Sequence, residues 1–247
     1  MFILSLVMLR GALKKNRQQP IPEKDLVPEP SLAMKLTTSL IMALHIGYKL
    51  NGNGSRTKIL YMMAPCNFLW LVYWAICYIP MTARARQIAY QITVPYLAFP
   101  TLAFIAPEEV NLTNWMERPF FYVHHALLVV LAFHLLRSRR VSMIPKSGDI
   151  SYSILKEWVL AFSFFGIYHS ALSVPLSIVF GVNLNYVMSP PNTHWSGGWF
   201  GGRWYRLQLV TYFGAEFLLI QLLIAIFELW IQRVTPPAKE DATKKYS

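Results

Sequence analysis

Long hydrophobic runs, separated by short polar or basic connections, make up most of the sequence after residue 30. A helix that crosses a membrane needs ~20 mostly apolar residues, because the hydrocarbon layer is ~30 Å thick. Five runs clearly meet this length: 58–79, 87–106, 119–136, 155–180 and 208–231. A sixth and weaker run, 31–50, is interrupted by Lys35, His45 and Lys49. The pattern therefore predicts an all-α fold, a polytopic membrane protein built as a bundle of about six transmembrane helices.

Polar segments flank the predicted bundle at both ends. The first residues, 1–9, are mostly apolar and are followed by Arg10, Lys14, Lys15 and Arg17. This stretch is too short to span a membrane, and its charges follow the apolar residues rather than precede them, unlike a secretory signal. We therefore expect an interfacial, basic N-terminal segment at 1–30, a six-helix transmembrane domain at 31–231 and a polar tail at 232–247.

The composition favours lipid over water as the surrounding medium. Of the 247 residues, 55% are hydrophobic and 14% are charged, and the mean hydropathy is +0.36. Soluble domains carry roughly 25% charged residues, so this chain would present too little polar surface to water. The net charge of +11 lies in connections and at both ends, without a nucleic-acid-binding motif. These charges predict contact with anionic phospholipid headgroups rather than with nucleic acid.

The distribution of lysine and arginine predicts an orientation in the membrane. With six spans, 17 of the 23 basic residues fall on the side that holds both termini. Connections on the cytoplasmic side of a membrane are enriched in these residues. We therefore expect both termini on the cytosolic side or its equivalent, and we call the opposite surface the far side.

The two cysteines, Cys66 and Cys77, lie in the same apolar run. A continuous helix would hold their Cα atoms roughly 16 Å apart, which is too far for a disulfide. We therefore expect two free thiols, and the sequence offers no motif for a metal or another cofactor.

Ionisable side chains inside predicted spans are costly, so each is a candidate for function. Counting ~1.5 Å per residue from the far-side ends of the spans places Cys66, His125, His169 and Glu216 about 9–16 Å deep, in one layer. A thiol and an imidazole at matching depth can serve as nucleophile and base, with a third polar group orienting the ring. The alternatives are a buried cysteine that only fills space and histidines that only join helices.

Several short motifs occur in order along the chain and resemble those of the transmembrane protein 164 family. They are Tyr61-Met-Met-Ala-Pro-Cys-Asn67, Tyr122-Val-His-His125, Phe165-Gly-Ile-Tyr-His169, Val182-Asn-Leu-Asn185 and Trp204-Tyr-Arg206. The fold of that family is similar to that of the androgen-induced-gene type of polytopic lipid hydrolases. The resemblance implies an acyltransferase of the endoplasmic reticulum. Such an enzyme moves a polyunsaturated acyl chain from a donor phospholipid to a lyso-ether phospholipid.

The resemblance also implies roles for individual residues. Cys66 matches the family's nucleophile, and the local pattern places the base at His125, although His124 would preserve the family's spacing. His169 would be an auxiliary polar group of the catalytic site. The mouth of the lipid site would comprise Asn183, Asn185, Arg206 and Glu216. Ala64 and Asn67 replace a family Asn and His beside the Pro-Cys pair, and a family Gly-His after Trp-Tyr-Arg is absent.

Those departures leave two other functions open. In the first alternative, the chain is a catalytically degenerate, lipid-binding subunit of a larger membrane complex, for example in the mitochondrial inner membrane. The basic N-terminal residues would also suit a mitochondrial address. In the second alternative, the chain is an esterase that uses the same site, with water as the acyl acceptor.

Overall fold

The computed structural model describes residues 6–7, 10, 30–51, 56–105, 107, 112, 115–137, 150–188 and 203–234. Regular structure in these residues is helical throughout, which confirms the predicted all-α fold. The α-helices are α1 (Leu32–Asn51), α2 (Pro65–Tyr78), α3 (Ala83–Thr93), α4 (Ala98–Ile105), α5 (Glu117–Arg137), α6 (Ile150–Tyr168), α7 (Val174–Phe180) and α8 (Tyr205–Val234). Most of the predicted segment 1–30 and residues 235–247 of the predicted tail lie outside the described residues.

Four helical stretches of the described chain are long and apolar enough to cross a membrane. They are Ile88–Ile105, Glu117–Arg137, Ile154–Phe180 and Tyr205–Ile231. These correspond to four of the predicted runs and support an integral membrane protein. The number six and the orientation of the termini stay predictions.

The predicted span 58–79 consists of two helical pieces. A 3₁₀ helix covers Arg56–Met63, and α2 then begins at Pro65 with 14 residues. Ala64 between them has an extended backbone, with φ −68° and ψ 146°. A residue that precedes proline is disfavoured in the helical region, so the break follows from the Ala64-Pro65 pair. Cys66 is thereby placed at the start of a helix.

Two of the four long stretches also change their helical type at prolines. A 3₁₀ helix, Val94–Leu97, joins α3 to α4 and contains Pro95. A π-helical segment, His169–Ser173, joins α6 to α7, and the Val174 N–H donates to the carbonyl of His169. Pro175 follows directly and has no N–H for the α-helical bond, which makes this wider turn favourable.

Aromatic rings from α4, α6 and α8 form the centre of the bundle. Phe99 lies 5.4 Å from Phe165 and 5.6 Å from Phe217 between ring centroids, and all three side chains are buried. The Trp158 indole N–H donates to the Gly214 carbonyl at 2.8 Å and ties α6 to α8. Close packing and interhelical hydrogen bonds hold helices together where lipid offers no hydrophobic driving force.

Candidate functional site

Cys66 is the second residue of α2 and packs against the core while staying partly exposed. Pro65 has no N–H, and the first helical hydrogen bond at this end runs from Phe68 N to Ala64 O at 2.8 Å. The backbone N–H groups of Cys66 and Asn67 therefore precede the intrahelical ladder, as at any helix start. Such groups are suited to hydrogen-bond an oxyanion that forms next to the thiol.

Two ionisable side chains near Cys66 come from α6 and α8. Tyr168 and Glu216 lie within the range of electrostatic interaction with the Cys66 thiol. The Tyr168 hydroxyl donates to the carbonyl of Met63, just before the start of α2, and its ring lies 4.8 Å from that of Phe68. Oε2 of Glu216 is shielded from solvent and has no hydrogen-bond partner among the described residues. Three helices thus bring a thiol, a phenol and a carboxyl group together.

Asn67, which stands where the family has a histidine, has a structural contact. Its side-chain amide donates to the carbonyl of Tyr61 at 2.7 Å, from α2 back to the 3₁₀ helix. This bond holds the 3₁₀ helix and α2 together across the break at Ala64.

His124 and His125 are adjacent on α5, and both rings are buried. Nδ1 of His124 lies 3.0 Å from the Phe120 carbonyl, and Nδ1 of His125 lies 2.6 Å from the Phe121 carbonyl. A carbonyl only accepts, so each ring carries its proton on Nδ1, and each neutral ring has an acceptor at Nε2. That is the tautomer a general base needs. In the described chain, neither ring is hydrogen-bonded to Cys66.

His45 belongs to the same histidine cluster, although in the sequence it is only a polar interruption of the first predicted span. Its side chain is 0% exposed, and its ring centroid lies 4.7 Å from that of His124. Nδ1 of His45 lies 3.1 Å from the Tyr48 hydroxyl. The sequence signal that could have identified His45 was the high free-energy cost of a histidine inside a predicted membrane span.

A separate cavity of about 430 Å³ lies between the π-helical segment and the start of α8. Its lining includes the charged side chain of Arg206 and the imidazole of His169, and the remainder of the lining is mostly apolar. The other lining residues are Phe165, Val174, Ile178, Tyr186, Val187, Met188, Leu209, Val210 and Phe213. A largely apolar cavity with a few polar groups is typical of small-molecule and lipid sites.

The predicted mouth residues have different positions. Arg206 lines the cavity, and its Nε donates to the Val187 carbonyl at 2.9 Å. Asn183 holds the neighbouring turn, because its Oδ1 accepts from the Met188 N–H at 2.9 Å. Glu216 interacts electrostatically with Cys66 and is not among the residues that line the cavity. The side chain of Asn185 lies outside the described residues.

The structure therefore divides the predicted site residues into three groups. Cys66 lies with Glu216, His125 lies in the histidine cluster, and His169 lies in the cavity with Arg206. No group of three histidine, cysteine or acidic side chains in the described chain is arranged to hold a metal ion.

Comparison with known proteins gives one consistent result. The model of the TMEM164 family matches residues 1–231. The Transmembrane protein 164 homolog of Dictyostelium discoideum is 26% identical over 175 residues, which cover 69% of this chain and 58% of that relative. The aligned part is therefore little more than half of the relative's length. No solved structure matches the chain.

Proposed function

Because the chain belongs to the TMEM164 family, as its motifs predicted, we propose that it is a membrane phospholipid acyltransferase with Cys66 as nucleophile. The observation that carries this proposal is the position of Cys66 at a helix start, within electrostatic range of Tyr168 and Glu216 from two other helices. A cysteine that only filled space would have no need of polar neighbours at membrane depth, where each of them is costly.

The proposed reaction has two halves joined by a thioester. In the first, the thiol gives its proton to a base, and the sulfur attacks the ester carbonyl of a donor phospholipid. The carbonyl–oxygen bond of the ester breaks, and the lysophospholipid leaves with the proton returned by the base. In the second, the hydroxyl of a lyso-ether phospholipid gives its proton to the base and attacks the thioester. The acyl chain is transferred, and the thiol is restored.

The chain's own residues supply each part of this chemistry. His125 is the proposed base, since its Nδ1–H is donated to a carbonyl and its Nε2 is left as an acceptor. Catalytic hydrogen bonds are often long in free enzymes and shorten when substrate binds, so His125 need not contact Cys66 beforehand. The N–H groups at the start of α2 would stabilise the oxyanion. Tyr168 positions that helix start through its bond to Met63.

The cavity beside α8 is the proposed place for phospholipid. Its volume of about 430 Å³ lies in the range typical of ligand sites. The guanidinium of Arg206 would pair with the phosphate in the bidentate geometry that arginine favours. His169, which also lines the cavity, would be the auxiliary polar group, and the apolar lining would contact acyl chains.

The proposal is tested with purified protein in liposomes that contain a labelled donor phospholipid and a lyso-ether phospholipid. We expect Cys66→Ala to abolish acyl transfer and to prevent acylation of the peptide that contains residue 66, measured by mass spectrometry. Cys77→Ala is the matched control, because Cys77 is a buried cysteine near the other end of the same helix. Wild-type activity in the Cys66→Ala variant would refute the proposal. Accumulation of free fatty acid without consumption of the lyso lipid would identify an esterase instead.

A second candidate is a lipid-binding, catalytically inactive subunit of a membrane complex. It is favoured by the structural contact of Asn67 and by the absence of a Cys66–histidine hydrogen bond in the described chain. Purification from native membranes separates the two functions. Recovery with a respiratory or translocation complex at fixed stoichiometry supports the subunit, and recovery alone from the endoplasmic reticulum supports the enzyme.

The length of the segment formed by the 3₁₀ helix and α2 is compatible with a membrane crossing, as the six-span prediction requires. At ~2.0 Å per residue the 3₁₀ helix Arg56–Met63 adds about 16 Å to the roughly 21 Å of α2. Together they are long enough for a ~30 Å hydrocarbon layer. We therefore retain the six-span domain 31–231, with both termini on the cytosolic side, as part of the proposal.

A further inference from the structure

The histidine cluster of α1 and α5 contains more than the proposed base. The rings of His45 and His124 lie 4.7 Å apart with an interplanar angle of 74°, and those of His124 and His125 lie 3.9 Å apart. All three side chains are at most 4% exposed. Three histidines buried together inside a membrane domain are costly unless their nitrogens are paired.

The hydrogen bonds of the cluster determine which nitrogens carry protons. Nδ1 of His124 donates to the Phe120 carbonyl, so a neutral His124 ring has an acceptor at Nε2. Nδ1 of His45 contacts the Tyr48 hydroxyl at 3.1 Å. When this hydroxyl donates to Nδ1, the proton of a neutral His45 ring lies on Nε2. His45 then has a donor where His124 has an acceptor.

The Nε2 atoms of His45 and His124 are also the two ring nitrogens of these residues without a hydrogen-bond partner among the described residues. Both atoms are buried. They come from facing helices, and their rings are in edge contact. A hydrogen bond between them, direct or through one bridging water, would satisfy both nitrogens. Buried polar groups in proteins nearly always have such a partner.

We propose that Tyr48, His45 and His124 form one hydrogen-bonded relay, from the Tyr48 hydroxyl through His45 to Nε2 of His124. The relay keeps Nε2 of His124 occupied within the cluster. It therefore leaves Nε2 of the neighbouring His125 as the free acceptor of the pair. His45 and His124 are positioning residues, and His125 is the base. This last part rests on the proposed acyl transfer, whereas the relay itself does not.

The charged groups around the relay lie at its far-side end. Nζ of Lys49 lies 5.1 Å from the centre of the Tyr48 ring, and Lys58 pairs with the buried Glu117 at 3.7 Å. The ring of Phe120 covers both His45 and Tyr48, at 4.8 Å and 5.2 Å. The phenol thus lies between these charged side chains and the buried imidazoles. Charged side chains therefore lie at the Tyr48 end of the relay, and the ring of Phe120 packs along its side.

The relay is tested directly by ¹⁵N NMR of histidine-labelled protein in liposomes. We expect His45 protonated on Nε2 and His124 on Nδ1, with a coupling across the hydrogen bond between the two Nε2 atoms or a bridging-water contact. In His45→Leu, the ¹⁵N shift of His124 Nε2 should move to that of an acceptor without a hydrogen bond, while the Phe120 carbonyl still holds the proton on Nδ1. His45→Gln should restore the wild-type shift, because its amide N–H can donate to Nε2. His134→Gln on the exposed face of α5 is the matched control and should change neither signal.

Two results would overturn the relay. One is an unchanged ¹⁵N shift of His124 Nε2 in His45→Leu, in protein whose melting temperature shows that it is folded. The other is a transition metal recovered at one ion per chain, because the histidines would then be ligands.

The consequence for the reaction is tested separately by steady-state kinetics. We expect His45→Leu to lower kcat roughly 10- to 100-fold with KM unchanged, and His45→Gln to recover most of the rate. Equal kcat in wild type and His45→Leu would refute the positioning role. If wild-type protein transfers no acyl chain, the proposed function fails, and the NMR result still decides on the relay.

Discussion

The hydroxyl of Tyr168 offers the sharpest test of how the fold presents Cys66. It donates to the carbonyl of Met63, three residues before the cysteine, and it joins α6 to the break before α2. Tyr168→Phe removes the hydroxyl, and with it the bond to Met63, and keeps the ring that lies 4.8 Å from that of Phe68. The substitution therefore separates positioning by the hydroxyl from packing by the ring.

The expected magnitude follows from the setting of the bond. Hydrogen bonds between helices of membrane proteins contribute about 0.6 kcal/mol on average and at most about 1.7 kcal/mol. Tyr168 is buried, and the carbonyl it satisfies belongs to the residue before a helix break, so we expect a value near the upper end, ~1–1.5 kcal/mol. For a chain of this size such a loss lowers Tm by roughly 2–6 °C.

Two assays in detergent or nanodiscs measure the effect. A thermal melt should show the lower Tm, and Cys66 should react faster with a membrane-permeant maleimide, because the start of α2 is no longer held. Tyr78→Phe is the control, since its hydroxyl donates to the Lys35 carbonyl at 3.1 Å between α2 and α1, at an exposed position remote from Cys66. Maleimide rates at Cys66 that are equal in Tyr168→Phe and wild type would refute this reasoning.

Three further predictions concern the cavity, the core and the membrane topology. Arg206→Gln should raise KM for the phospholipid donor about 10-fold or more, with a smaller effect in Arg206→Lys, measured by liposome kinetics; an unchanged KM would exclude a phosphate contact. Phe217→Ala should destabilise the bundle by ~3–5 kcal/mol in denaturation assays, because Phe217 is 0% exposed and contacts Phe99 and Phe165. The control is Leu219→Ala at an exposed position, which should cost under ~1 kcal/mol. Trp204→Cys and Trp230→Cys, at opposite ends of α8, should label with an impermeant thiol reagent from opposite sides of a sealed vesicle; labelling from the same side would contradict a spanning α8.

Much of the candidate site lay beyond prediction from the sequence, for a physical reason. Residue counting gives a depth in the membrane, because the helix rise is constant, and it placed Cys66 and Glu216 in one layer. It does not give the rotation of a helix about its axis, since neighbouring residues point ~100° apart. The grouping of His125 with His45 rather than with Cys66 is a matter of that rotation. The Ala64-Pro65 break was open to prediction, because its cause is local.

The sequence by itself determined the all-α fold, the membrane as its solvent, and the family. Apolar length and charge content are properties of a segment alone, so they need no knowledge of its neighbours. The tertiary structure decided which polar side chains meet: Tyr168 and Glu216 at the thiol, and His45 at His124. Those contacts depend on how the faces of α1, α2, α5, α6 and α8 pack against one another. Packing of that kind joins residues far apart in the chain, and no local pattern encodes it.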